Sequence, residues 1–321
     1  MAHGYSHASR NTQRSKPTMN FLEAVQLGKN DWWRYLLATV LILVLWFGVG
    51  AVPLIGLVIW VAADNDPGTQ VDTNTGQFIG LDPLLSFLVL MFSFVMLWVG
   101  LFIAVRFIHQ RRFRSLIEPN LRVRWGRMAQ GFAVWVTLAA ILAIVEAVLY
   151  PGRYQFTFDA ARFIPFAFFI LLLIPLQAAS EELLVRAYLM QSLSLFLRQP
   201  ILLSIISGGV FALLHLANPE VLIDFWLLML YYFAFGFTLA LISLKDNGLE
   251  LAIGAHVGNN LFTALFANYA NGALATPSVF MANELDAVYG VLSALVAMVI
   301  FYGVCAWVWR PASPVQAANV T

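Results

Sequence analysis

Eight long apolar stretches follow one another along this chain, and they determine whether it folds in water or in a lipid bilayer. They lie near residues 35–61, 84–105, 129–150, 163–197, 201–217, 223–244, 249–268 and 286–309. A helix needs about 20 mostly apolar residues to cross a bilayer. Hydrophobic residues make up 61% of the chain and charged residues 11%, which excludes an ordinary soluble domain, because such domains are only roughly 45–50% apolar. The stretches predict an all-α, polytopic transmembrane bundle of about eight spans.

Arginine and lysine are concentrated in alternate connections, which predicts the orientation of the bundle. The connection 106–128 carries seven arginines and one acid, whereas 64–83 carries four aspartates and neither Lys nor Arg. Positively charged short loops stay in the cytoplasm, so we expect 106–128 inside, 64–83 outside and both termini cytoplasmic. Only Arg153 and Arg162 fall on the opposite side. Attraction of anionic lipid headgroups is a second role compatible with the same arginines.

The distribution of polar residues divides the chain into four parts. These are a cytoplasmic N-terminal tail (1–30), a first set of membrane helices with the arginine-rich loop (31–160), a core with polar groups inside apolar stretches (161–270), and a last span with a C-terminal tail (271–321). Residues 1–20 are polar, so they carry no cleavable signal peptide and are expected to be disordered. The single cysteine excludes an internal disulfide framework.

Glu181 and Glu182 stand side by side in the fourth apolar stretch, and Arg186 follows one turn later. A charge inside hydrocarbon costs at least ~2.5–3.5 kcal/mol, so ionisable residues at that depth are functional candidates by default. Positions four apart share a helix face, so Glu182 and Arg186 can form an ion pair that leaves Glu181 free. A purely structural salt bridge would explain that pair equally well, but it gives Glu181 no purpose.

Two later apolar stretches contribute histidines. His215 lies one turn after Phe211, and His256 lies one turn before Asn260, so each pair occupies one helix face. A lone histidine in an apolar helix is more often a packing residue than a catalyst, but three segments that each offer polar groups indicate a shared site. Small side chains allow these helices to approach closely: Ser207, Gly208, Gly209, Gly254, Ala255 and Gly258. We therefore expect an active site in an intramembrane cavity.

Other polar or helix-breaking residues in the apolar stretches receive simpler interpretations. Glu146 and Glu250 lie near span ends, where snorkelling to the interface explains them. Glu220 flanks a short turn and is assigned no role. Pro165 and Pro175 predict a kink or a partly re-entrant start in the segment 163–197, which is too long for one straight span.

Three motifs occur in order on successive apolar segments: Glu181-Glu182-x-x-x-Arg186, Phe211-x-x-x-His215 and His256-x-x-x-Asn260. The set resembles the motifs of the CPBP family of intramembrane proteases, which includes the CAAX prenyl endoproteases and the bacterial bacteriocin-processing or self-immunity (ABI) homologues. The resemblance covers about residues 160–270. It implies an endopeptidase with its catalytic groups in a membrane cavity, a membrane-embedded peptide or protein as substrate, and a bacterial plasma membrane as its location.

Peptide hydrolysis needs an activated water and a stabiliser for the tetrahedral oxyanion. Glu181 is the predicted general base, and His215 is expected to orient the water or share its proton. His256 and Asn260 are expected to donate hydrogen bonds to the oxyanion. The remaining motif residues are assigned supporting roles: Glu182, Arg186 and Phe211.

A competing scheme places a zinc ion between Glu181, His215 and His256, with the bound water as nucleophile. The family has been classed with the metalloproteases, yet the chain contains no H-E-x-x-H spacing. We therefore favour a mechanism without a metal cofactor and keep zinc as the alternative.

Two further functions are compatible with polar residues inside a membrane. A proton-coupled transporter would use Glu181, His215 and His256 as a relay, but it would need a polar path to both faces and an internal repeat, and the sequence shows neither. A relative that has lost catalysis would act as a membrane scaffold, although every motif position is intact here. No nucleic-acid-binding motif is present.

Overall fold

Helices joined mostly by short connections make up the described part of the chain, which in the computed structural model comprises residues 19–73, 76–269, 272–274 and 276–305. Eight main helices run through these residues: α1 (Trp32–Ala63), α2 (Pro83–Ile108), α3 (Trp125–Leu149), α4 (Ala160–Leu193), α5 (Pro200–Leu214), α6 (Phe225–Asp246), α7 (Glu250–Leu265) and α8 (Ala287–Gly303). Most of the N-terminal tail and the C-terminal end predicted from the sequence lie outside the described residues.

Five of these helices, α1, α2, α3, α4 and α6, are long and apolar enough to cross a membrane. Helices α5 and α8 are apolar but shorter, and α7 has 16 residues. Each predicted apolar stretch therefore forms a helix in the described chain, although three of them are shorter than a standard span. The predicted polytopic helical bundle is confirmed, and the protein is an integral membrane protein.

Helix α4 does not break at its prolines. It runs in one piece from Ala160 to Leu193, with Pro165 and Pro175 inside its regular part, and it leaves α geometry only in a wider π-helical segment, Leu183–Leu189. The expected re-entrant start is therefore wrong. The irregular turn lies instead directly after Glu182, and π-helical segments of this kind are frequently found at functional sites.

Glycines determine how closely the core helices pack. A Cβ atom on Gly254 of α7 would collide with the carbonyl oxygen of Met128 in α3, and one on Gly208 of α5 would come within 2.9 Å of the carbonyl oxygen of Phe233 in α6. The small residues of the fifth and seventh segments therefore allow a close approach, as predicted: α5 approaches α6, and α7 approaches α3. Gly209, in contrast, has open space around its Cα atom. Helix α7 also packs along α4, so that α4 to α7 surround one core.

Short strands join the helices at one end of the bundle. Strand β1 (Gln70–Val71) pairs with β2 (Phe78–Ile79) in the connection between α1 and α2. Strand β3 (Tyr154–Phe156) follows α3, while β4 (Ala267–Tyr269) and β5 (Phe280–Ala282) lie between α7 and α8. They form a sheet of order β3-β5-β4, antiparallel between β3 and β5 and parallel between β5 and β4.

The arginine-rich connection and the N-terminal segment meet at the other end of the bundle. Residues Leu22–Leu27, which the sequence places in the tail, form a 3₁₀ helix, and Phe21 before it is fully buried. Arg111 is buried as well, and it donates hydrogen bonds to the carbonyl oxygen of Ala24 and to Oε1 of Gln191. This end of the chain therefore packs as part of the bundle from residue 21 onward.

Carboxylates interpreted as snorkelling residues are in fact paired. Glu250 is fully buried, and its Oε2 lies 2.6 Å from Nη2 of Arg124. Glu146 binds Arg153 at 2.9 Å, and Arg153 also binds Asp286 at the same distance. The snorkelling interpretation of Glu250 is wrong because its charge is matched inside the protein. The positive charge of Arg153, which fell on the unexpected side, is likewise neutralised by acids.

Candidate active site

Two adjacent carboxylates stand where α4 changes from α-helical to π-helical geometry. The regular helix ends at Glu182, and the wider turn Leu183–Leu189 carries Arg186. Glu181 is 5% exposed, and Glu182 and Arg186 are fully buried. Three ionisable side chains therefore lie within one turn and a half of a helix in the protein interior, where each charge needs a partner.

Glu182 is the partner of both Arg186 and His256. Its Oε1 lies 3.1 Å from Nη1 of Arg186 and 2.8 Å from Nδ1 of His256. The guanidinium of Arg186 also lies over the ring of Phe211, with Cζ 4.1 Å from the ring centroid. The expected ion pair between Glu182 and Arg186 is present. The link from Glu182 to His256, which ties α4 to α7, could not be seen in the sequence because it joins residues 74 positions apart.

The contact with Glu182 determines how the imidazole of His256 is used. A carboxylate paired with arginine is an acceptor, so Nδ1 of His256 carries the proton and donates it to Glu182. Nε2 then points to the other carboxylate, and it lies 3.6 Å from Oε2 of Glu181. This Oε2 is buried and has no hydrogen-bond partner among the described residues. The site therefore holds a free carboxylate oxygen beside an oriented imidazole nitrogen.

A glutamine missed by the sequence analysis connects Glu181 to Asn260. The Nε2 of Gln177 donates to Oε1 of Glu181 at 2.5 Å, and Oε1 of Gln177 accepts from Nδ2 of Asn260 at 2.9 Å. Asn259 extends the chain by donating from Nδ2 to Oδ1 of Asn260 at 3.0 Å. The signal for Gln177 was available, because it lies one helical turn before Glu181 and shares its face.

His215 lies at the edge of this arrangement. It follows the last residue of α5, and its Nδ1 donates to the carbonyl oxygen of Phe211 at 2.8 Å. The ring of Phe211 contacts both imidazoles, with centroids 4.3 Å from that of His215 and 5.6 Å from that of His256. The structure thus links all seven predicted residues. Asn260 is connected to Glu181 through Gln177, and His215 is connected to the others through Phe211.

The zinc alternative can be compared with the same geometry. Glu181 and His256 approach each other, whereas the hydrogen bond and a ring contact of His215 run to Phe211. Each histidine uses its Nδ1 in a hydrogen bond, which leaves Nε2 as the nitrogen open to a ligand. In the residues the structure describes, no group of three His, Cys, Asp or Glu side chains is arranged to hold a metal ion. The three predicted ligands are therefore not grouped around one position in the described residues, and a reaction without a metal stays a prediction.

Comparisons with known proteins agree with the motif pattern. Residues 163–262 match the sequence model of the family described as "Type II CAAX prenyl endopeptidase Rce1-like". Over 302 residues, 94% of this chain and 99% of the relative, the sequence is 28% identical to the uncharacterized protein YyaK of Bacillus subtilis (strain 168). No solved structure matches.

The family match spans the whole site, from Gln177 to Asn260. It covers the core and neither of the flanking parts of the chain. The resemblance to the CAAX-type intramembrane proteases that the three motifs predict is thereby confirmed.

Proposed function

We propose that this protein is an intramembrane endopeptidase that hydrolyses a peptide bond in a membrane-associated substrate. The observation that carries the proposal is the unpartnered Oε2 of Glu181, which lies 3.6 Å from Nε2 of His256 inside an apolar bundle. A buried carboxylate oxygen without a hydrogen-bond donor is costly, so it is retained where a function requires it. The match to the Rce1-like family over the same residues supports hydrolysis of peptide bonds as that function.

The proposed nucleophile is a water bound between Glu181 and His256. Two acceptors 3.6 Å apart can share one water molecule, because a hydrogen bond from water spans roughly 2.8 Å. Such a water donates one proton to each acceptor and presents its oxygen lone pair to the scissile carbonyl carbon. Glu181 then takes a proton as the C–O bond forms, and it returns that proton to the amine when the C–N bond breaks.

In this assignment His256 orients the water and does not stabilise the oxyanion, which is the role expected from the sequence. With Nδ1–H committed to Glu182, the neutral imidazole offers a lone pair at Nε2, which cannot donate to an oxyanion. Asn260 keeps the predicted role, because its amide has two N–H groups and Gln177 accepts only one of them. His215 also presents Nε2 as an acceptor, and we assign it to the N–H of the scissile bond, which it aligns for attack by the water.

The proposed substrates follow from the family match. We expect a prenylated peptide with a C-terminal CAAX sequence to be cut, and we keep bacteriocin-like membrane peptides as the second class. We also propose that the reaction needs no metal, that both termini lie in the cytoplasm, and that the protein resides in a bacterial plasma membrane. These proposals depend on the arginine distribution and the family match, and each can be tested separately.

Two measurements test the proposed function together. Purified protein in lipid nanodiscs is incubated with an internally quenched farnesylated CAAX peptide and with its unprenylated counterpart, and products are identified by mass spectrometry. In parallel, proteomics compares membranes that contain the wild-type protein or Glu181→Gln, and looks for a peptide bond cut only by the former. A cut that requires Glu181 in either measurement supports an endopeptidase. The absence of any such cut in both contradicts it.

A further inference from the structure

One buried carboxylate outside the site has no role so far. Glu220 lies in the 3₁₀ turn Pro219–Leu222 between α5 and α6 and is 5% exposed. Its Oε1 accepts hydrogen bonds from the hydroxyl of Tyr232 at 2.5 Å and from Nδ2 of Asn218 at 3.2 Å. Its Oε2 accepts the backbone N–H of Ala273 at 2.9 Å. With three donors the carboxylate is held in one orientation.

Tyr232 connects Glu220 to the candidate active site. Its hydroxyl is held by Glu220 and also accepts from Nδ2 of Asn218 at 3.0 Å. Its ring stacks on the imidazole of His215, with centroids 4.2 Å apart and an angle of 26° between the planes. The side chain is therefore fixed at both ends, by hydrogen bonds at the hydroxyl and by ring contact at His215.

His215 depends on such contacts because the helix does not fix it. It is the first residue past the end of α5, with φ −100° and ψ 5°. Its side chain is held by three contacts: the Phe211 carbonyl oxygen on Nδ1, the Phe211 ring at 4.3 Å and the Tyr232 ring on the stacked face. Among these hydrogen bonds and ring contacts within the described residues, the stack on Tyr232 is the one that comes from a different helix, α6.

We propose that Tyr232 and Glu220 are positioning residues for His215, a role that rests on the proposed endopeptidase function. Glu220 sets the direction of the Tyr232 hydroxyl, the Tyr232 ring sets the plane of the imidazole, and the imidazole plane aims Nε2 of His215. The bond from Ala273 extends this arrangement to the connection between β4 and β5. Neither residue touches the substrate in this scheme, so both act through His215.

The test uses two readouts on the full-length protein in nanodiscs. The first is hydrogen–deuterium exchange at C2 of each histidine, followed by mass spectrometry, which reports the surroundings of His215 without any need for activity. The second is kcat and KM for the farnesylated CAAX peptide. His256 and His109 in the same sample serve as internal references, and a thermal unfolding scan shows that each variant is folded.

Four variants separate the ring from its hydrogen bond. Tyr232→Leu removes the stack, so we expect faster exchange at His215 and a kcat lowered by up to ~10²-fold with KM nearly unchanged, as for a misplaced catalytic group. Tyr232→Phe and Glu220→Ala keep the stack but release the ring, so both should give a smaller loss of kcat. Both break the bond between Tyr232 and Glu220, while Glu220→Ala also removes the acceptor of Asn218 and Ala273, so combining them should cost no more than Glu220→Ala alone. Glu220→Gln keeps one oxygen for the Tyr232 hydroxyl, so its kcat should lie nearer to wild type than that of Glu220→Ala.

A matched control comes from another tyrosine bonded to a carboxylate. The hydroxyl of Tyr154 donates to Oε2 of Glu146 at 2.7 Å, so Tyr154→Phe removes the same kind of bond at a different place and should leave His215 exchange and kcat unchanged. Wild-type exchange at His215 in folded Tyr232→Leu would overturn the proposal, as would a change in KM alone. If the wild-type protein cleaves nothing, the proposed function fails, while the exchange data still decide whether Tyr232 and Glu220 hold His215.

Discussion

The Oε2 atom of Glu181 lies 3.6 Å from Nε2 of His256, and no described group hydrogen-bonds to that oxygen. The other carboxylate oxygen is held by Gln177, and the other imidazole nitrogen is held by Glu182. In each of the two side chains, Glu181 and His256, one atom is therefore held by a hydrogen bond and one atom is available. The two available atoms face each other. This arrangement orients both groups for one shared water and is the reason for assigning them to its activation.

Glu181→Gln is expected to abolish cleavage while the protein remains folded. An amide in this place still occupies the volume and still binds Gln177, but it cannot accept a proton from water. Loss of a general base costs on the order of 10²–10⁴-fold in rate. Turnover is measured on the farnesylated peptide, and the exposed Glu284→Gln serves as the matched control. Activity of Glu181→Gln above about 1% of wild type would remove Glu181 from the base role.

Glu182→Gln is expected to lower stability as well as rate. The substitution leaves the fully buried Arg186 without its counter-charge and weakens the hold on His256. Breaking a buried ion pair from one side typically costs ~3–5 kcal/mol. Thermal unfolding in detergent measures the loss, and Asp31→Asn, which removes the charge of an exposed carboxylate paired with Arg34, should shift the midpoint far less. An unchanged midpoint for Glu182→Gln would mean that the pair does not stabilise the fold.

Asn260→Ala is expected to reduce kcat far more than substrate binding. Its free N–H is assigned to the oxyanion, which exists only in the transition state and the tetrahedral intermediate. Removing one such donor costs about 10²–10³-fold in kcat. Steady-state kinetics give kcat and KM separately, with the exposed Asn120→Ala as control. A variant whose KM rises while kcat stays at the wild-type value would assign Asn260 to binding instead.

Activity is expected to survive removal of metal ions. The three candidate ligands Glu181, His215 and His256 are not grouped around one point in the described structure, and in the proposed chemistry the water is activated by Glu181 and His256 without a metal. The experiment treats the purified protein with a strong chelator, measures cleavage, and determines zinc by elemental analysis of the active sample. Loss of activity that zinc alone restores would replace the glutamate mechanism with a zinc mechanism.

Gly254→Ala is expected to destabilise the bundle, whereas Gly209→Ala is not. A methyl group on Gly254 would collide with the backbone of Met128, while Gly209 has open space around it. Overpacking costs roughly 1–3 kcal/mol, and alanine in an uncrowded helical position gains up to ~1 kcal/mol over glycine. Unfolding midpoints of the two variants are compared under identical conditions. Equal midpoints would show that α3 and α7 can separate without cost.

The sequence by itself determined the class of protein and the seven motif residues that lie at the site. Apolar stretches such as 84–105 and 223–244 have one physical outcome in a bilayer, because backbone polar groups there must be satisfied within a helix. The ion pair of Glu182 with Arg186 was also predictable, because a four-residue spacing on one helix fixes proximity. The order of the three motifs added the family resemblance.

The tertiary structure alone decided which atoms face each other. Glu182 and His256 are 74 residues apart, and their contact depends on how α4 packs against α7. Glu250 was misjudged for the same reason, since its partner Arg124 lies outside its own helix, directly before α3. The periodicity of a sequence shows which residues share one face of one helix. The roles proposed for His256 and His215 depend instead on contacts between helices.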